Sequence, residues 1–177
     1  MPDGTVEIVD SRNLSTGIGL LVMKAADLRR EGKTLQETAE ILRGLTPHVK
    51  TGFVIDTLEY LYKGGRLSSL SHLVGSMLKI KPLVRVVDGK MIVADKLRGS
   101  GRKAIDVMVE QALADKGNID PARVFVTHAA ATEMAEYIKG RLEQELDVKE
   151  VLITEAGSVI SSHCGPGTVG ILYIGTH

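Results

Sequence analysis

The sequence predicts an α/β fold built on a mixed sheet. Three observations carry that reading. Six short segments rich in Val, Ile, Leu and Phe, at 53–55, 83–87, 91–94, 123–127, 150–154 and 169–175, have the length of strands. Amphipathic helical patterns lie between several of them, and an Asp88-Gly89 turn joins two, which marks a hairpin and therefore an antiparallel pair inside the sheet.

In chain order, residues 5–10 read as a short Val- and Ile-bearing strand ending at Asp10-Ser11. Ile18, Leu21, Val22, Ala25 and Leu28 then recur at helical spacing as far as Gly32, with Ser15 or Thr16 as the cap. Thr34 caps a second helix carrying Leu35, Ala39 and Leu42, which closes near Pro47. One strand and two helices leave backbone groups without partners. Residues 1–50 are therefore expected to dock on the rest, to join another chain, or to be the C-terminal remnant of a preceding α/β domain. Residues 51–177 read as a self-sufficient α/β domain with the mixed sheet.

Within that second unit, residues 58–62 form a helical turn stopped by Gly64-Gly65. Leu70, Leu73, Val74, Met77 and Leu78 trace one helical face. Residues 83–87 and 91–94 flank the hairpin turn. A helix at 102–115 turns Ile105, Met108, Val109 and Ala112 inward, and one at 132–146 does the same with Met134, Ile138, Leu142 and Leu146.

Composition excludes several functions. Twenty-two basic and 22 acidic residues leave a formal charge of zero, so no global field recruits nucleic acid or an anionic membrane surface. Cys164 is the only cysteine, which rules out an internal disulfide or a cysteine zinc cluster and points to a reducing, cytoplasmic setting. Pro2 and Asp3 stand where a secretory leader has basic residues and an apolar run, and no apolar stretch approaches the ~20 residues of a membrane span. With two Phe, four Tyr and no Trp, any ligand pocket is expected to be aliphatic.

The chemistry-bearing residues fall into three groups. Arg66 follows two glycines, where a guanidinium can hold a carboxylate or phosphate by paired charge-assisted hydrogen bonds; the same letters also spell a helix C-cap followed by a solvated arginine. His163 precedes Cys164-Gly165-Pro166-Gly167-Thr168, a corner rich in backbone amides. Gly165, Gly167 and Gly170 satisfy Gly-x-Gly-x-x-Gly, but a strand follows where a dinucleotide site requires a helix. Cys164 and His163 are chain neighbours whose side chains diverge, so they do not read as a nucleophile and its base. Lys96, Arg98, Arg102 and Lys103 make a basic cluster without Walker spacing, which reads as a solvated face or as a docking patch for an acidic partner. His128 closes a strand, and His48 and His72 have no companions at metal-ligand spacing.

Several blocks in one order resemble the DegV family of bacterial fatty-acid-binding proteins. They are Val9-Asp10-Ser11 with Ser15, Gly17 and Gly19; residues 53–66 with Leu58, Tyr60, Leu61, Gly64, Gly65 and Arg66; Gly75, Leu78, Ile80, Lys81, Pro82 and Asp88-Gly89; Arg98-Gly99 with Lys103-Ala104; His128; and His163 with Gly165-Pro166-Gly167. The resemblance implies a two-domain α/β protein, without catalytic residues or a cofactor of its own, that encloses one long-chain fatty acid. Its carboxylate is presented to a separate fatty-acid kinase, which makes an acyl phosphate for phospholipid synthesis. On that reading Arg66 and His163 hold the carboxylate, Arg98 with Arg102 and Lys103 meets the kinase, and Met77, Leu78 and Ile80 are candidates for the alkyl tunnel. Family members carry a further N-terminal segment, rich in Thr and Ser, that supplies another pocket wall. The chain is therefore expected to be N-terminally truncated, with an exposed half-domain able to self-associate. Cys164 takes the place of a small hydroxyl residue. The rival reading is a phosphotransfer protein using His163 or His128, and a third is an interaction domain with no ligand.

Overall fold

A computed structural model describes residues 6–66 and 80–176. In chain order the elements are α1 (Thr16–Arg30), α2 (Leu35–Leu45), β1 (Val49–Val54), α3 (Glu59–Lys63), β2 (Ile80–Val87), β3 (Lys90–Arg98), α4 (Gly101–Ala114), β4 (Ile119–Ala129), α5 (Thr132–Glu145), β5 (Val151–Glu155), α6 (Ser158–Cys164) and β6 (Thr168–Gly175). The six strands form one sheet in the order β3-β2-β1-β6-β4-β5. Only β4 and β5 run parallel; every other neighbouring pair is antiparallel, so the sheet is mixed as the hairpin predicts. β6 lies between β1 and β4 and is buried along its whole length, whereas the edge strand β3 alternates exposed and half-buried residues.

Both faces of the sheet are covered. α4 and α5 turn Ile105, Met108, Val109, Ile138 and Leu142 onto Val54, Leu83, Val124, Val126 and Ile171. On the other face, Leu20, Leu21 and Leu28 of α1 and Leu42 of α2 pack on Val49, Phe125, Leu172 and Ile174. The segment ahead of β1 thus shares a core with the strands. Polar contacts fasten it: Arg123 of β4 donates to Asp27 of α1 at 2.6 Å and to Glu150 at 2.9 Å, and Lys24 pairs with Asp120 at 3.1 Å. The Arg123 hydrogen bond holds the Asp27 carboxyl below its ordinary range.

Local chemistry explains some element ends. Thr34 caps α2 as a full capping box: its hydroxyl accepts from the Glu37 N–H at 3.2 Å, and Glu37 accepts from the Thr34 N–H at 2.8 Å. Ser15 precedes α1 at φ 50° and makes no side-chain cap bond. Two expectations are corrected. Residues 6–10 pair with no strand; both edges of β1 are taken by β2 and β6, and this stretch is held instead by Arg43, which donates to Glu7 at 2.6 Å and to the Ile8 carbonyl at 3.0 Å. The glycine-rich corner at 163–168 is preceded by a seven-residue helix, α6, that the sequence pattern did not announce. The helix expected at residues 70–78, with Met77 and Leu78, lies outside the described residues. Ile80 joins a small core of Ile55, Leu58, Leu61 and Val84 beneath α3. Among the described residues no helix is long and apolar enough to cross a membrane.

Candidate functional site

Two of the cavities bounded by the described residues flank the sheet. One of about 410 Å³ opens beside α4 where β1 and β2 diverge, and its walls are about half polar, with Arg12, Lys50, Arg85, Gln111, Asp115 and Tyr173 among them. The other, of about 320 Å³, lies between the sheet and α6 and is mostly apolar: Leu14, Phe53, Leu61, Met91, Ile160 and Leu172 line it. Arg66 and His163, distant in sequence, both stand on its wall. That combination of an aliphatic interior and two cationic or donor side chains makes the second cavity the candidate site.

Chain geometry at the end of α3 places Arg66. The Arg66 N–H donates to the Leu61 carbonyl at 2.8 Å and the Gly65 N–H to the Tyr62 carbonyl at 3.0 Å, the two bonds of a Schellman motif. Gly65 supplies the left-handed residue this requires, at φ +68°. The helix C-cap reading of Arg66 is thus found, and the side chain that follows the cap stands on the cavity wall. Arg66 is exposed, and its guanidinium is steadied by donation to the Gly64 carbonyl at 3.1 Å.

His163 arrives from α6. Close approach of α3 and α6 depends on two positions without a side chain: a Cβ at Gly64 would stand 2.2 Å from His163 Nδ1, and one at Gly165 would stand 2.4 Å from the Tyr60 ring. Cys164 is 7% exposed, burial pushes its thiol up, and its carbonyl accepts from the Thr168 hydroxyl at 2.9 Å. A buried thiol with a raised pKa is a wall group rather than a nucleophile.

His128 and Thr127 also border the cavity, and strand alternation separates them. Phe125 and Thr127 face α1, while Val124 and Val126 face α4 and α5. By that alternation the His128 imidazole belongs to the α5 side, where its Nδ1 accepts from the Ala131 N–H at 3.2 Å at the start of α5. Thr127 is buried and hydrogen-bonded to Thr16 and, at 2.9 Å, to Thr154, so three hydroxyls tie α1, β4 and β5 together behind the site. The sequence reading missed this chain. Its signal was a threonine directly after the apolar run Val124-Phe125-Val126.

The basic residues lie at the neighbouring corner. Arg98 ends β3, and Arg102 and Lys103 occupy the first turn of α4, capped by Ser100, whose hydroxyl accepts from the Lys103 N–H at 3.3 Å. Arg102 is engaged within the chain: its guanidinium stacks 3.2 Å from the Tyr137 ring centre and its Nε lies 3.4 Å from Asp106. Arg98 and Lys103 make no ion pair among the described residues. Asp56 receives Lys81 and lies close to both Gly101, at this corner, and Gly167, next to the Thr168 that lines the cavity. No group of three or more metal-ligating side chains comes together among the described residues.

Known proteins share this architecture. The model of the family described as "Uncharacterised protein, DegV family" matches residues 1–176. A DegV domain-containing protein of Streptococcus pyogenes serotype M3 is 38% identical over 175 residues, covering 98% of this chain and 60% of the relative. Among solved structures, a DegV family protein from Thermus thermophilus, described for its fatty acid binding, superposes with a TM-score of 0.86 at 29% identity over 98% of this chain and 62% of that one. DegV from Bacillus subtilis, described as a fatty acid binding protein, gives 0.81 at 30% identity over 96% of this chain and 60% of that one. The chain spans about 60% of the length of these relatives.

Proposed function

We propose that this chain, which belongs to the DegV family, holds a long-chain fatty acid in the cavity beside α6, with the carboxylate against Arg66 and His163. The observation that carries the proposal is the meeting of those two side chains on one aliphatic cavity. About 320 Å³ is at the small end of ligand sites, which suits the carboxylate end and the first part of an alkyl chain.

The energetics favour such a division of labour. Burying about ten methylenes is worth about 8 kcal/mol. Removing a carboxylate from water costs several kcal/mol, which erases much of that gain unless donors meet it. Arg66 supplies the charge and His163 an N–H.

The same proposal makes the chain a carrier subunit in the cytoplasm rather than an enzyme. A separate fatty-acid kinase phosphorylates the presented carboxylate, docking on the basic corner of Arg98, Arg102 and Lys103. Asp56, close to Gly101 at that corner and to Gly167 beside the cavity-lining Thr168, supports a docking position near the head group. The phosphohistidine reading draws less support at His128, which is only 5% exposed and whose Nδ1 is occupied by the Ala131 N–H.

Calorimetric titration of the delipidated chain with hexadecanoic acid and with hexadecanol tests the carboxylate's part. The acid is expected to bind at least about tenfold more tightly than the alcohol, the value of one charge-assisted hydrogen bond. Equal affinities would remove Arg66 and His163 from the head-group site.

A further inference from the structure

Gly64 packs on His163 so closely that it bears on which ring nitrogen carries the proton. A Cβ at Gly64 would stand 2.2 Å from Nδ1 and 3.0 Å from Cε1 of His163, so that edge of the imidazole rests on the bare Cα. Nδ1 is buried there and has no hydrogen-bond partner among the described residues. Nearby backbone donors are committed elsewhere: the Gly64, Gly65 and Arg66 N–H groups bond to the Tyr60, Tyr62 and Leu61 carbonyls at 2.8, 3.0 and 2.8 Å. The Gly64 carbonyl accepts from Arg66.

A proton on Nδ1 would therefore be a buried donor without an acceptor, which native proteins avoid more strictly than an unpaired lone pair. We infer that Gly64 is a positioning residue that holds His163 as the Nε2–H tautomer. The opposite edge of the ring, with Nε2, is the one left to meet the cavity that His163 lines. What that N–H is for rests on the proposed fatty-acid reading: it donates to a carboxylate oxygen, in a direction set before the ligand arrives.

The arrangement also assigns Gly64 a role distinct from that of Gly65. Gly65 is required by the turn it makes, while Gly64, whose φ is −78°, is required by the ring it touches. Alanine fits that backbone but not that space.

Two-bond proton–nitrogen spectra of the nitrogen-labelled, delipidated chain test the inference directly, with the His163 signal assigned by its loss in His163→Gln. The pattern of an Nε2–H imidazole in at least about tenfold excess is expected. An Nδ1–H pattern, or a comparable mixture, overturns the inference. Binding of hexadecanoic acid supplies a second readout. A glutamine amide reaches the place of Nε2 and an asparagine amide only that of Nδ1. His163→Gln is therefore expected to stay within about fivefold of the parent Kd, while His163→Asn and Gly64→Ala lose at least about tenfold. Asparagine matching or exceeding glutamine would overturn the assignment. An Nε2–H spectrum in a chain that binds no fatty acid would retain the tautomer and sink the function; Nδ1–H with intact binding would do the reverse.

Discussion

Replacing Arg66 by alanine separates binding from folding, because the two uses of this residue involve different atoms. Its backbone N–H closes the Schellman turn onto Leu61 at 2.8 Å and survives the substitution. Its side chain makes one exposed bond, at 3.1 Å to the Gly64 carbonyl, whose loss lies within the ~0.5 kcal/mol of an ordinary surface change. For a chain of this length that is a shift in Tm of about 1–2 °C. The effect on a bound carboxylate is larger. A hydrogen bond to a charged group contributes about 1.5–3 kcal/mol, and the exposure of Arg66 puts its contribution near the lower end because solvent and salt screen it. About 1.5 kcal/mol corresponds to a Kd for hexadecanoic acid raised about tenfold, with a larger difference at low ionic strength. Calorimetric titration of the delipidated parent and variant reads the ratio, and thermal unfolding of the same samples reads the fold. A Kd changed by less than about twofold would refute the head-group assignment. A collapse in Tm would show instead that the side chain holds the structure.

Three further outcomes follow from the same geometry. Gly165→Ala places a Cβ 2.4 Å from the Tyr60 ring at a backbone φ of +76°, so urea unfolding should show a loss of about 2–4 kcal/mol. Asp27, whose carboxyl is lowered chiefly by the Arg123 hydrogen bond, adds stability that is complete above its ordinary value of 3.8 and disappears as pH falls through the depressed one. Unfolding followed between about pH 5 and pH 2 should therefore have a shallower acid limb in Arg123→Ala than in the parent. If the proposed fatty-acid kinase docks on the basic corner, joint Arg98→Glu and Lys103→Glu substitution should cut its acyl-phosphate formation at least about tenfold while leaving bound lipid unchanged; an unaltered rate would remove this corner from docking.

Legibility in the sequence tracked how local each cause was. Thr34 announces a helix cap and Asp88-Gly89 a hairpin, and the structure returns both, with Glu37 completing a capping box that the sequence reading did not name. Arg66 and His163 stand out through the glycines beside them and through the order of motif blocks along the chain, and the fold brings both onto one cavity wall. Failures came where the deciding contact is distant. Val6 and Ile8 have strand-like periodicity, but a strand needs a free edge, and β1 has none to offer. α6 is seven residues long and carries two serines, too short for a helical period to emerge from its neighbours. Thr127 finds Thr16 and Thr154 only after α1 and β5 have docked. Gly64 read as a helix stop, and only the folded chain reveals the imidazole against it.

Mass spectrometry of an organic extract from the purified chain, with fatty acid counted per protein molecule, tests the central claim most directly. The account predicts a long-chain fatty acid near one per molecule, depleted in the Arg66→Ala and His163→Ala variants. An extract empty of fatty acid, from a chain that also fails to take up added hexadecanoic acid, would contradict it.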